Sequence, residues 1–525
     1  MSLSLYDMLY PILWIGVLLT GYLFWNRNTQ RINYDVLYKE KTSDFIMVLV
    51  ITMSTACLFH LFPLGGKSPA QDSSVFIYIG QMMHKGYIPY KDMFDHKGIM
   101  IYFLEYLGTF ISDKGYIGIW LIETIFLGVT VYYSMKLAKV FCDDDIICYI
   151  SVLSEVLICG FYVYEGGNLV EEYALPWITM ALYVFLKYFK TERYSHREIC
   201  AIGAGFIIVS LLRINMVIVW AVFLPIVFVK LIRDKRYADL RKCIVAFIVG
   251  MAVILIPTFI YCVVTKCLPD MWKYYIVFNL QYSGSNSSIS TCAEAAWNFI
   301  IMLWPGFVAL VFSLWKNRKN KCYLLNLVFL IISIVIIASS GRAYGHYAII
   351  LLPAVIAPVT SFVPILYKIF DKINKNKITF SIKNRTVIIA CILLFSFQWM
   401  LYGVYFQRRI SSARQEDQIV AWLKQNTDDQ DDVLLVGEHV GKYLLSGRNT
   451  NNKFFYQIPP VNISDDLYSE FLNELNENES DYIVISGQKA ERILPNSIYK
   501  EIDEICAQKK YMVNQSDGFY VYYRP

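Results

Sequence analysis

Charge is what this sequence has least of. Asp, Glu, Lys and Arg make up 17% of its 525 residues, against 56% hydrophobic residues and 16% aromatics, a balance that excludes an ordinary soluble enzyme. The few charges are unevenly spread. From Gln407 onward 13 Lys and Arg stand against 19 Asp and Glu, so the net charge of +5 hides an acidic tail and a basic remainder. That pattern gives no support to nucleic-acid binding. Among twelve cysteines there is no CxxC and no Cys/His metal spacing. Most, such as Cys57, Cys159, Cys262 and Cys391, lie in apolar runs, where Cys behaves as a small hydrophobe. Cys267 and Cys292 flank a predicted outer loop and could pair. Internal repeats and low-complexity segments are also lacking. The tail carries no GxGxxG, P-loop or Gly-x-Ser-x-Gly motif, which leaves it as a structural or partner-binding lobe.

What is present in abundance is long apolar sequence. A helix needs about 17 to 25 apolar residues to cross a bilayer core, and about twelve segments qualify: 8–25, 44–62, 117–137, 146–163, 173–189, 198–212, 215–232, 243–264, 296–315, 322–339, 346–366 and 386–406. The chain therefore reads as a polytopic α-helical membrane protein. Segment 8–25 lacks a basic n-region and a small-residue cleavage site, so it is kept as a span rather than a cleaved signal peptide. Segment 98–111, GIMIYFLEYLGTFI, is short and has Glu105 at its centre. Leaving it out of the count puts the strongly basic loops on one side, which the positive-inside rule makes cytoplasmic. It is then a juxtamembrane helix in the interface, and the first loop, the tail and the N-terminus are extracytoplasmic. Three domains result: an extra helix and basic cytoplasmic loop in 1–43, a transmembrane domain in 44–406 with its first outer loop at 63–116, and an extracytoplasmic α/β domain in 407–525. In the tail, VLLVG at 433–437, DYIVISG at 481–487 and FYVYY at 519–523 read as strands, and DDLYSEFLNELNE at 465–477 reads as a helix with Leu467, Phe471, Leu472 and Leu475 on one face.

The polar residues that remain concentrate in the outer loops. From Asp72 to Gly98 the chain packs three aspartates, two histidines and three lysines between apolar regions. Its first half predicts a short amphipathic helix with Asp72 as N-cap, Val75, Phe76, Ile79, Met82 and Met83 on one face, and Gly86 closing its end. Such a helix lies on a membrane surface more naturally than across it. The second half, with Gly86, Pro89 and Gly98, is loop, and holds Tyr90, Asp92, Asp95, His96 and Lys97. A second outer loop, EGGNLVEE, carries Glu165, Glu171 and Glu172. A third is the hinge at Arg213 and Asn215, and a fourth, SSGRAYGHY, carries Arg342, His346 and Tyr347. Carboxylates to take a proton from a hydroxyl and cations to hold a departing phosphate are what transfer from a lipid-linked phosphate requires. Arg213 stands out, because a charge nearly inside a membrane usually faces a cavity or a partner.

Three motifs carry a resemblance: D-x₅-Y-I-G-x-x-M-x-x-G-x-x-P-Y-x-D-x-x-D-x-K-G after an early span, GGN-x-x-EE before another, and G-R-x-Y-x-H-Y ahead of LLP. Over residues 44 to 406 the chain resembles bacterial relatives of the protein O-mannosyltransferases and the lipid A aminoarabinose transferases. These are GT-C glycosyltransferases that use polyprenyl-phosphate sugars. The resemblance implies that Asp72 is the catalytic base and that Glu171 or Glu172 is a second acidic residue. It implies that Lys97 and the Arg342/His346 pair hold the donor phosphate; Arg213 and Tyr347 join that set by position, and Tyr90, Asp92, Asp95 and His96 form the supporting loop. Relatives have an Asp where this chain has the Glu pair, and Lys-Gly-Pro or Lys-Pro-Pro where it has Lys97-Gly98-Ile99, which leaves a divalent cation open. The expected partners are a polyprenyl-phosphate sugar, membrane lipids, and an extracytoplasmic glycan, lipid or protein acceptor. The rival reading is a transporter or lipid flippase, whose ionisable groups tend to sit at mid-membrane in two related halves. Here they cluster in the outer loops, and the halves do not resemble each other.

Overall fold

The computed structural model describes residues 41–64, 69–112, 116–284, 288–373, 417–457, 461, 464–486, 496–516 and 518–524. Among these, four helices are long and apolar enough to cross a membrane: Ile117–Phe141, Tyr237–Val264, Lys321–Ala338 and Gly345–Ile365. Of the predicted segments, 8–25 and 386–406 lie outside the described residues, and the others are largely helical. Segment 44–62 holds a helix of only 15 residues, Thr42–Ala56, and another segment is broken in two. Segment 296–315 is two helices, Ile289–Met302 and Trp304–Asn317, bent by 85° at the Leu303-Trp304-Pro305 junction; Pro305 has no N–H to continue the first helix but suits the first turn of the second.

The described residues form two compact units. The first comprises those within Met1–Gly65, Trp120–Pro257 and Ser287–Phe406. Its helices start where the sequence supplies caps. Asp144 accepts from the amides of Ile146 and Ile147, Ser195 and Glu198 form a capping box, and Asn320 caps Lys321–Ala338. Its interior is aromatic and aliphatic, with Trp220 fully buried and Phe185 stacked on Phe223 at 5.2 Å.

The second unit comprises the described residues within Gly66–Ile119, Thr258–Asn286 and Gln407–Pro525. Residues 69–112 and the tail thus share one core. Helix Gln71–His84 packs along Ile99–Ile111, and the His84 ring links them, 3.0 Å from Thr109 Oγ1 and stacked on Tyr106. Ala70, not Asp72, is the N-cap residue, and it makes no side-chain cap bond. The helix is also buried on more than one face: Val75, Phe76, Ile77, Tyr78 and Ile79 are all covered, while Met83 is only half-buried. Tyr78 explains the extra burial, since its ring meets Phe455 at 4.7 Å and Tyr443 at 5.0 Å and its hydroxyl accepts from the Thr450 amide. Helix Ile99–Ile111, at 13 residues, is about 20 Å long, short of a hydrocarbon core of about 30 Å.

The tail forms a four-stranded mixed sheet of order β1-β2-β4-β3, from β1 Val433–Val436, β2 Tyr482–Ser486, β3 Met512–Ser516 and β4 Phe519–Tyr523. The β1–β2 pair is parallel and the other two are antiparallel. Three of the strands were legible as apolar runs, whereas Met512–Ser516, MVNQS, is too polar to stand out and is fixed by pairing with β4. Helix Asp465–Glu477 buries Leu467, Phe471 and Leu475 behind a Ser464 cap. Cys267 and Cys292 are both free thiols. Cys267 closes the turn after Tyr237–Val264, its amide donating to the Cys262 carbonyl, and Cys292 Sγ faces the Ser339 carbonyl.

Candidate functional site

In the second unit the sequence-predicted residues converge on the segment from Tyr90 to Lys97. Asp72, in the first turn of its helix, leaves its carboxylate 43% exposed, 3.8 Å from the Lys97 ammonium. The Lys97 Nζ also reaches His96 Nε2 at 3.2 Å. Beneath this pair lies a network that local sequence did not reveal. Asp95, 2% exposed, accepts from the hydroxyls of Tyr102 and Tyr456 and from the His96 amide, each at 2.6 Å. His96 Nδ1 lies 3.3 Å from the same carboxylate. These partners suit a neutral imidazole with its proton on Nδ1, donating to Asp95 and accepting from Lys97 through Nε2.

The electrostatics agree with that assignment. Burial by itself would raise the Asp95 carboxyl, but hydrogen bonds from His96 and the Tyr102 hydroxyl and the nearby Lys97 charge hold it down at about 2. Burial and the Lys97 charge push His96 below its ordinary value, against the pull of Asp95. The backbone is fixed as well. Tyr90, at φ 68°, donates its hydroxyl to the Lys97 carbonyl at 2.6 Å, and Asn279 Nδ2 donates to the His96 carbonyl at 2.6 Å. Asp92 is a turn residue, accepting from the Ile88 amide at 2.8 Å.

The first unit gathers the remaining candidates in two clusters. Arg213 donates to Glu171 at 2.5 Å and to the Tyr347 hydroxyl at 2.7 Å, and its guanidinium lies 4.2 Å from the centre of the Tyr347 ring. Beside Tyr347, His346 Nδ1 pairs with Glu165 at 2.8 Å and its ring stacks on Tyr344. Arg342 is half-buried in the turn before the short helix Gly345–Leu351. Glu172 is buried against Glu123 and the backbone of Asn168 and Leu169; Glu123 was not singled out by sequence, because one Glu in a long apolar helix has no local pattern.

The EGGN turn that positions these carboxylates is four successive residues at positive φ, Glu165, Gly166, Gly167 and Asn168. A Cβ on Gly166 would overlap the His60 imidazole, and one on Gly167 would press on Glu123 and Phe59. Glycine is required at both. The Glu pair does not fit a shared metal ion. Consecutive helical residues point about 100° apart, and Glu171 is engaged by Arg213 while Glu172 is buried apart from that pair. Among the described residues no group of three or more His, Cys, Asp or Glu is placed to hold a metal.

Against solved structures, this architecture matches a crystal structure of ArnT from Cupriavidus metallidurans bound to undecaprenyl phosphate, at TM-score 0.57 and 13% identity over 91% of this chain and 97% of that one. The apo form of the same protein matches at TM-score 0.55 and 13% identity, over 91% of this chain and 96% of that one. The chain thus shares the fold of that protein. No curated protein sequence matches the chain. The chain belongs to the family described as putative competence-induced protein Ccs4 N-terminal domain, whose profile matches residues 32–404.

Proposed function

We propose that this protein is an integral-membrane inverting glycosyltransferase that moves a sugar from a polyprenyl-phosphate donor to a hydroxyl of an extracytoplasmic acceptor. The observation that carries the reading is the half-exposed Asp72 carboxylate held beside Lys97, on a segment locked by the Asp95–His96–Tyr102–Tyr456 network. The shared fold with ArnT, crystallised with undecaprenyl phosphate, supports the donor class. Asp72 takes the acceptor O–H proton as the oxygen attacks the anomeric carbon. The bond from that carbon to the donor phosphate oxygen breaks, and polyprenyl phosphate departs with the electron pair.

Lys97 is assigned to the departing phosphate, and within the other unit Arg213, Arg342, His346 and Tyr347 are the proposed phosphate-binding residues. The fork of Arg213, oriented by Glu171 and Tyr347, suits a phosphate better than a point charge would. The basic loops support a plasma-membrane protein with Asp72 and the tail outside. Helix Ile99–Ile111, with Leu107, Phe110 and Ile111 exposed at 49%, 73% and 52%, is read as lying in the membrane interface.

The test is Asp72→Asn in proteoliposomes supplied with a polyprenyl-phosphate sugar and a cell-envelope extract as acceptor. Loss of transfer by at least about 100-fold at equal protein level is expected for a general base. Undiminished transfer overturns the assignment.

A further inference from the structure

A second feature of the loop-and-tail unit lies outside the Asp72–Lys97 pair. A cleft of about 520 Å³ opens between Lys85, Tyr87, Lys91 and Asp92 on one side and Asn451, Lys453, Glu470, Glu474 and Asn478 on the other. Its volume falls within the range of about 300–1,000 Å³ typical of small-molecule sites. Its walls are unlike most such sites, because polar side chains make up nearly all of the lining. Three ammonium groups face three carboxylates, so the lining is close to neutral in sum.

Most of these groups are held by neighbours. Lys85 Nζ donates to Asn449 at 2.8 Å, Lys453 Nζ lies 3.3 Å from Glu470, and Glu470 also takes Lys273 at 2.6 Å. Glu474 accepts from Asn478 Nδ2 at 2.5 Å and from the Lys453 amide at 3.2 Å. The Tyr87 hydroxyl donates to Asn451. The orientation of donors and acceptors is therefore set before any ligand arrives, and the remaining lone pairs and protons are available to it.

An apolar ligand would desolvate these groups and return no hydrogen bond to them. A ligand of one charge would meet as many like charges as opposite ones. A neutral, polyhydroxylated chain meets neither cost, since each hydroxyl donates to a carboxylate or amide oxygen and accepts from an ammonium or amide N–H. We infer that this cleft binds a neutral oligosaccharide, and that it holds the saccharide portion of the acceptor. The second clause rests on the transferase reading, and the first does not.

The experiment uses the full-length protein in lipid nanodiscs, with no donor present, titrated with maltotriose and with tri-N-acetylchitotriose by calorimetry and saturation-transfer NMR. Saturable binding of at least one is expected, weakened by about tenfold or more in Asn451→Ala and in the Lys91→Ala/Asn478→Ala double variant. These three positions are exposed, and an unchanged elution profile verifies that the variants fold. Asp72→Asn binds as the unaltered protein does. The inference is overturned if neither trisaccharide binds, if the cleft variants bind as tightly as the parent, or if glycerol 3-phosphate displaces the saccharide at equal concentration. Absence of any transfer by the unaltered protein would instead sink the transferase reading and leave the binding result standing.

Discussion

A carboxylate at 2% exposure is costly unless donors are aimed at it, and Asp95 has three at 2.6 Å. Replacing it by Asn removes the charge that orders them, and a loss of about 2 kcal/mol is expected for a charged hydrogen-bond centre, read as a lower unfolding temperature in detergent. The pH dependence has a definite sign. Asp95 is held at about 2 against an ordinary 3.8, so its contribution is full above about pH 4 and is lost as pH falls toward 2. His96 is pushed below its ordinary 6.5 and adds a loss in the same direction, beginning below that pH, because the unfolded chain takes up the proton first. Asp72 contrasts with Asp95. It caps nothing and is 43% exposed, so Asp72→Asn should change stability by under about 0.5 kcal/mol while removing transfer. Arg213→Lys keeps the charge but cannot serve Glu171 and Tyr347 together. A rise of about tenfold in the donor KM, larger than the change in kcat, is expected in steady-state assays.

Among the elements, the EGGN turn is the least tolerant of change. Gly166 combines φ +100° with a Cβ position already filled by His60, so Gly166→Ala should cost about 3 kcal/mol, seen as a fall in the recovery of monodisperse protein. Gly86 is the control, with φ +92° and open space around it. Gly86→Ala should cost only about 1 kcal/mol. The same turn shows why sequence could mark an element without explaining it. GGN was visible as a motif ahead of a span, but the reason for Gly166 is a histidine more than a hundred positions earlier. Helix Gln71–His84 shows the reverse. Its periodicity gave a helix, yet its second buried face comes from Tyr443 and Phe455, which no local pattern connects to it.

In the whole molecule, the tail belongs to the core of the loop that carries Asp72. Tyr456 bonds Asp95, Phe454 stacks on Phe94 at 5.2 Å, and the Lys453 carbonyl accepts from the Phe94 amide. Deleting 417–525 should therefore make Lys85, Lys91 and Lys97 open to trypsin and abolish transfer, even though every proposed catalytic residue is retained. An unchanged tryptic pattern would make the tail a mere appendage.

Composition and periodicity by themselves determined that the chain is largely helical and apolar, where most helices fall, and three of the four tail strands. These follow from burial and backbone geometry repeated every few residues, which any stretch reports about itself. The motifs also picked out Asp72, Lys97 and the Glu pair, and the cost of a charge near the membrane picked out Arg213. Only the tertiary structure decided that Glu171 belongs to Arg213 while Glu172 is buried apart from it, that Asp92 closes a turn while Asp95 anchors the loop, and that the anchor's partners are Tyr102 and Tyr456. A buried charge selects its partners by distance in space, and two tyrosines 7 and 361 residues away leave no periodic trace in the chain.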